Sequence, residues 1–236
     1  MQGKELIAAI TAIGAALPIA FSLSSTAHAD DLENSIKVGY AKVKFSIKSG
    51  DLTGPPGTTP PGLGIGVRDL DVFAMSYERR LSRNWAVQFQ AGIPPALTAF
   101  GTGKARTVGT VATARIWFPT VMALYTFTDF PVIRPYVGIG ATYTFFTNQK
   151  SSSAYTAAVQ GLSSSIDLKS SWGPYARIGF EYPINKSWGI NMEYSTFRMK
   201  TVATVVTQTP GFGAISRRVG LKDSPRIFGL TVGYRF

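Results

Sequence analysis

The residues best equipped for chemistry are charged and amide side chains that recur at alternate positions inside apolar runs: Lys37, Glu78, Arg134, Arg177, Glu181, Glu193 and Arg235, with Gln88, Gln90 and Asn191. If these face one another, four basic and three acidic groups nearly neutralise, and the set reads as a hydrogen-bonded plug rather than an ion path. Catalysis has little to work with. The chain has no cysteine, and its one histidine, His28, lies in an N-terminal segment with the features of a cleaved leader. The chain after residue 29 offers no thiolate nucleophile, no imidazole base and no His or Cys metal ligand. Carboxylate or Ser-Lys chemistry would need a spacing that the chain does not show. The expectation is a protein that is not an enzyme and uses no metal or cofactor.

The elements that carry these groups are strands. In Phe228-Gly229-Leu230-Thr231-Val232-Gly233-Tyr234-Arg235-Phe236 every second residue is large and apolar. Successive side chains of a strand point to opposite faces, so one face is oily and the other is small, polar and carries Arg235. In a soluble sandwich the oily face is core; in a membrane barrel it faces lipid and the arginine faces the lumen. Similar alternation runs through Ile36–Ile47, Leu70–Leu81, Trp85–Leu97, Thr113–Phe127, Ile133–Thr147, Trp172–Tyr182, Trp188–Thr201 and Ile227–Phe236. That pattern predicts an all-β fold of about eight strands. Short connections at 82–84, 128–132 and 185–187 alternate with long ones at 48–68, 98–110, 148–169 and 202–218, rich in Gly, Ser, Thr or Pro. The expected architecture is an eight-stranded antiparallel up-and-down transmembrane β-barrel, with the short turns and both termini in the periplasm. Composition agrees: 45% of the chain is hydrophobic and 16% charged, yet no run after residue 30 is long enough for a membrane helix.

The start of the chain fits that destination. Lys4 precedes an Ala-rich apolar run from Leu6 to Leu23, and Ala27-His28-Ala29 supplies small residues for a cut before Asp30. Residues 1–29 read as a secretory signal peptide and 30–236 as the barrel. Some small outer-membrane barrels modify lipid A acyl chains through a histidine and a serine; once His28 leaves, that route is closed. Phe236 ends the last strand and resembles the signal read by the barrel-assembly machinery.

Four separated blocks carry a family resemblance: Trp117-Phe118-Pro119-Thr120-Val121-Met122-Ala123; Arg134-Pro135-Tyr136-Val137-Gly138-Ile139-Gly140; Ser171-Trp172-Gly173 with Ile184-Asn185-Lys186-Ser187-Trp188; and Val232-Gly233-Tyr234-Arg235-Phe236. Together, in this order, they resemble the OmpW/AlkL family of outer-membrane proteins. The resemblance implies a barrel in the bacterial outer membrane that helps small hydrophobic molecules across. The first long connection, with Gly54-Pro55-Pro56-Gly57 and Pro60-Pro61-Gly62, matches least, so substrate preference does not carry over.

Parity then sorts the lumen. Trp85, Val87, Phe89, Val137, Ile139, Tyr143, Ile178, Phe180, Trp188, Ile190, Met192 and Tyr194 fall on the lipid side. The inward set turns apolar toward the long connections, at Ile116, Phe118, Met122, Phe146, Phe197 and Met199. From the residues alone these read equally as a greasy pocket for a solute or as packing of a narrow barrel; the resemblance favours the pocket. Pro94, Pro95 and Pro119 lie at similar heights on the third and fourth strands, where a missing N–H marks either a lateral seam or a shaping bulge. The +11 charge falls mostly on the connections and rims, including Lys48, Arg68, Lys104, Arg106, Lys150, Lys169, Lys200, Arg217, Arg218 and Lys222. The expected partners are outer-membrane lipid and lipopolysaccharide phosphates, the assembly machinery and small hydrophobic solutes. Nucleic acid is not expected, because the charges are scattered over the connections. Two functions stay open: passive uptake of hydrophobic compounds, and a surface-interaction barrel with a packed lumen.

Overall fold

The computed structural model describes residues 34–59 and 61–236; the predicted signal segment 1–29 lies outside the described residues. In chain order the elements are β1 (Asn34–Lys44), β2 (Lys48–Ser49), β3 (Leu63–Val67), β4 (Leu70–Arg80), β5 (Trp85–Gly92), β6 (Ala96–Gly103), β7 (Thr110–Trp117), β8 (Thr120–Thr126), β9 (Arg134–Ser151), a short helix α1 (Ser153–Ala158), β10 (Ser163–Leu168), β11 (Ser171–Pro183), β12 (Trp188–Phe197), β13 (Met199–Thr209), β14 (Gly213–Asp223) and β15 (Arg226–Arg235).

Eight of them, β1, β4, β5, β8, β9, β11, β12 and β15, pair antiparallel in a closed ring. Closure is what the bilayer demands, because a lipid-facing edge would leave backbone groups without partners. The last link joins the first and last of these strands: β1 lies against β15 with Val38 opposite Val232, and Asn34 and Phe236 exchange backbone hydrogen bonds of 2.9 Å each way. At the same end the tight turns close with Leu81 N–H donating to Trp85 O (2.8 Å) and Ile184 N–H to Trp188 O (2.9 Å). The Asn185 side-chain oxygen accepts from the Ser187 and Trp188 amides at 2.9 and 2.8 Å, which is why a polar residue opens that turn.

The outer surface follows the expected parity. Ile36, Val38, Phe73, Met75, Val87, Phe89, Val137, Ile139, Ile178, Phe180, Ile190, Met192, Leu230 and Val232 point out and are exposed. A band of that extent is tolerable only against acyl chains. Aromatic girdles flank it. Trp85 meets Tyr125 (5.1 Å between rings) and Trp188 meets Tyr234 (4.9 Å) at the turn end; Tyr143 meets Trp172 (4.8 Å) and Tyr194 meets Phe228 (5.0 Å) at the other.

The long connections differ from the expectation of irregular loops. Residues 98–110 and 202–218 are mostly strand, and 48–68 and 148–169 contribute β2, β3, β10 and α1. β10, β13, β14 and β2 form a second sheet, while β3, β6 and β7 continue the wall onto the far half of β9. Their inward positions alternate apolar, so Ala203, Val219 and Leu221 pack with Ile47, Leu52, Ile65, Ile166 and Leu168 in a second core. The predicted strands Trp85–Leu97 and Thr113–Phe127 are each two strands, parted at Ile93-Pro94-Pro95 and at Phe118-Pro119. Proline cannot donate to a ladder, and the pairing between these two stretches is interrupted there.

Candidate functional site

The lumen has a polar floor toward the turn end and an apolar chamber above it. Lys37 comes from β1, Glu78 from β4, Gln88 and Gln90 from β5, Arg177 and Glu181 from β11, Asn191 and Glu193 from β12 and Arg235 from β15, all turned inward by strand parity. Lys37 Nζ lies 2.7 Å from Glu78 Oε2. Gln88 donates to the same carboxylate (3.3 Å) and to Ser76 Oγ (3.2 Å). Arg177 is the hub: it donates to Gln88 Oε1 (2.6 Å), to Tyr175 Oη (2.6 Å) and to Gln90, and pairs with Glu193 at 3.1 Å. Glu193 also accepts from the Tyr136 hydroxyl at 3.3 Å, and Arg235 pairs with Glu181. Arg134 sits opposite Glu181 in register but forms no ion pair among the described residues; it is a half-buried rim residue.

Two members of this network, Tyr136 and Tyr175, were missed from sequence, although their parity with Arg134 and Arg177 marks them as inward. Small inward residues make room for the long ones. A Cβ on Gly229 would lie 2.8 Å from Glu193 Cγ, and one on Gly179 would lie 2.7 Å from the Tyr136 hydroxyl. Charge-pairing and hydrogen bonds thus link β1, β4, β5, β9, β11, β12 and β15 across the floor.

Above it, all six residues of the predicted apolar set fall in one cluster. Ile116, Met122, Phe197 and Met199 are buried in it, and Phe118 and Phe146 pack against it. Met122 is the lowest, directly across from Gln88. The rings of Phe118 and Phe197 stack 6.1 Å apart, and Phe197 and Tyr175 6.5 Å apart, so the aromatic row runs down to the polar hub. A cavity of about 10 Å³ lies among Phe118, Ala41, Val43, Val72, Ala74 and Ile227, with Gln90 and Gly92 also in its lining. That cavity has about one water's space and no room for a hydrocarbon.

The wall beside this chamber is where the ladder fails. β5 and β8 pair from Trp85–Tyr125 to Gln90–Thr120, and pairing resumes between β6 and β7 at Ala96–Arg115. Between those points, among the described residues, one backbone bond remains, Ile116 N–H to Pro95 O at 3.3 Å, and the Arg115 guanidinium donates to Pro94 O at 3.2 Å. The other flank is also open. β4 and β5 pair as far as Ala74–Gly92, and the next bond joins Arg68 to Thr98 at 3.3 Å. The segment Ile93-Pro94-Pro95 therefore hangs between two interruptions, one of them, toward β4, not anticipated from sequence. Across β8 and β9 the ladder passes the Pro119 level intact, since Tyr143 N–H donates to Pro119 O at 3.0 Å.

Beyond the chamber the loop-end core caps the lumen with Ala99, Val111, Ala112, Tyr155 and Val205. Burial pushes the Tyr155 hydroxyl above its usual range. It also raises the Asp223 carboxyl, against the pull of the Ser46 and Ser224 amides that donate to it at 3.0 and 2.8 Å.

Comparison with known proteins places this arrangement. The OmpW family model matches residues 33–236. Outer membrane protein W of Escherichia coli (strain K12) is 30% identical over 225 residues, which is 94% of this chain and 97% of the relative. The crystal structure of the outer membrane protein OprG from Pseudomonas aeruginosa shares the fold, with a TM-score of 0.77 at 24% identity over 87% of this chain and 96% of that one. The dibenzothiophene metabolism operon protein PahQ of Pseudomonas aeruginosa is 23% identical over 186 residues, 78% of this chain and 82% of the relative.

Proposed function

The chain belongs to the OmpW family and is a β-barrel of the bacterial outer membrane, and from that premise we propose that it carries small hydrophobic molecules passively from the cell exterior into the bilayer. The turn end, with both chain termini, faces the periplasm; the end with the second sheet faces outward. A solute enters the apolar chamber from outside, is stopped below by the Arg177 network and leaves sideways past Ile93-Pro94-Pro95. No cofactor or catalytic group takes part.

The interrupted ladder beside the chamber carries this reading. In lipid, parting two strands exposes donors and acceptors that cost several kcal/mol each, so an intact ladder resists opening. Pro94 and Pro95 have no N–H to expose, and the gap toward β7 is spanned by one 3.3 Å backbone bond and by the 3.2 Å bond from the Arg115 guanidinium to Pro94 O. Opening there costs those two bonds and side-chain packing, and the incoming solute replaces the packing: apolar area leaving water is worth roughly 25 cal/mol per Å². The kinship with PahQ, named for dibenzothiophene metabolism, supports an apolar aromatic solute.

The packing of the apolar set in one buried cluster favours a second reading, a surface-interaction barrel acting as an adhesin or as a phage or toxin receptor. Hydrocarbon uptake by cells with and without the protein separates the two. Uptake should rise with the wild type and fall to background with Phe118→Asp, which places an unpaired carboxylate in the chamber. Replacement of Pro94, Pro95 and Pro119 by valine should restore ladder donors and reduce uptake at equal amounts of folded barrel. Wild-type uptake by the Phe118→Asp protein overturns the transport reading; wild-type uptake by the valine variant alone removes only the sideways exit.

A further inference from the structure

The outward face of β1, β2 and β13–β15 sets like charges directly opposite one another. Lys44 on β1 is the cross-strand partner of Arg226 on β15. Four residues further along each strand, Lys222 on β14 is flanked in register by Lys48 on β2 and by Lys200 on β13. Arg198 lies on the same face, two residues before Lys200. All six are exposed, and none has a carboxylate within 4.0 Å among the described residues. Their contacts are weak: Lys44 lies 5.9 Å over the Phe228 ring, and Arg226 reaches Ser46 Oγ at 3.5 Å. Like charges directly opposite on one sheet face destabilise it. A surface that repeats the arrangement in two rows is at its most stable with anions between them.

Beneath those rows the surface is apolar and hollow. A groove of about 450 Å³ crosses β15, β1 and β4, lined by Val38, Gly39, Tyr40, Phe73, Leu230 and Val232. Leu230, Phe228 and Arg226 occupy successive outward positions on one strand, as do Val38, Tyr40, Lys42 and Lys44 on its neighbour. Lys42 is already engaged by Asp71, with 3.2 Å between them, and Asp71 also accepts from Tyr40. Asp69 accepts from the Phe45 amide at 3.2 Å, and Asp223, beside Lys222, is buried and accepts from the Ser46 and Ser224 amides.

We propose that this face is a docking site for one phosphorylated glycolipid of the outer leaflet, with phosphates held between the Lys44–Arg226 and Lys48–Lys222–Lys200 rows and an acyl chain in the groove below. The two rows stand at most about 13 Å apart, four residues at 3.3 Å each, a span suited to a head group with a phosphate at either end of a disaccharide. Charge-assisted hydrogen bonds to phosphate turn the cross-strand repulsion into attraction. The proposal rests on the proposed orientation, which puts these rows in the outer leaflet; lipid binding in detergent tests the site without testing uptake.

The test compares the mature barrel with a variant carrying Lys44→Gln, Lys48→Gln, Lys200→Gln, Lys222→Gln and Arg226→Gln, and with a control carrying Lys104→Gln and Arg106→Gln. The probes are bis-phosphorylated lipid A, phosphate-free lipid A, phosphatidylglycerol and inorganic pyrophosphate, with bound lipid counted by native mass spectrometry and heat resistance read on gels. Bis-phosphorylated lipid A should bind wild type and control alike, bind the five-residue variant at least tenfold more weakly, and raise the unfolding temperature of the first two alone. Without lipid the variant should be at least as heat-resistant as wild type, since its repulsions are gone. Equal affinity of variant and wild type, equal binding of the phosphate-free lipid or phosphatidylglycerol, or an equal thermal shift with pyrophosphate overturns the proposal. So does a lipid-free variant less stable than wild type.

Discussion

Arg177→Met is the sharpest probe of the floor. The Arg177 side chain is 1% exposed and is the point at which β5, β11 and β12 are joined by polar contacts. Methionine fills much of its volume but leaves Gln88, Gln90 and Tyr175 short of a partner each and the Glu193 carboxylate with the Tyr136 hydroxyl at 3.3 Å. Removing one member of a buried ion pair costs about 3–5 kcal/mol, most of it for the charge left behind. The expected loss is therefore about 4 kcal/mol. Glu193→Gln alone strands the guanidinium and should cost a similar amount. The double variant strands no charge, so it should recover roughly 3 kcal/mol relative to the sum of the single losses. Urea unfolding in lipid vesicles, followed by tryptophan fluorescence, reads all four proteins of this cycle. An Arg177→Met barrel within 1 kcal/mol of wild type, or strictly additive losses, would refute the idea that Arg177 and Glu193 hold the floor together as a buried, coupled pair.

Gly229→Val should destabilise the same floor, because its Cβ would lie 2.8 Å from Glu193 Cγ; the fall in urea midpoint should shrink when Glu193 is also shortened to Ala. Phe236→Ala should lower the yield of heat-modifiable, folded barrel in the membrane several-fold, and equal yields would show that the aromatic end of β15 is dispensable for assembly. Trypsin added to intact cells should cut at Lys104 or Arg106 in the short connection between β6 and β7, and cutting at Arg83 or Lys186 instead would invert the proposed orientation. Planar bilayers carrying the wild-type protein should show no large ohmic conductance, since the floor leaves no open polar path.

Periodicity alone determined much of this protein. Period-two alternation in segments such as Phe228–Phe236 separates lipid side from lumen side, and a polar group such as Arg177 or Glu193 on the small-residue parity of such a segment has only a lumen to face. Tight turns such as Asn185-Lys186-Ser187 were legible because the Asn side chain supplies the turn's own hydrogen bonds. Parity says nothing of register, however, and register is a property of two strands that meet only on folding. Tertiary pairing therefore decided that Arg177 reaches Gln88 and Gln90, 89 and 87 residues away, and that Lys44 faces Arg226. It also decided that 98–110 extends the wall and 202–218 builds the second sheet rather than looping away, because their Thr- and Gly-rich alternation is too weakly apolar to commit until a second core forms around it. The prolines were visible in the sequence, but the interruption toward β4 was not. A proline announces the donor it lacks, while the neighbour that goes without a partner is fixed only when the barrel closes.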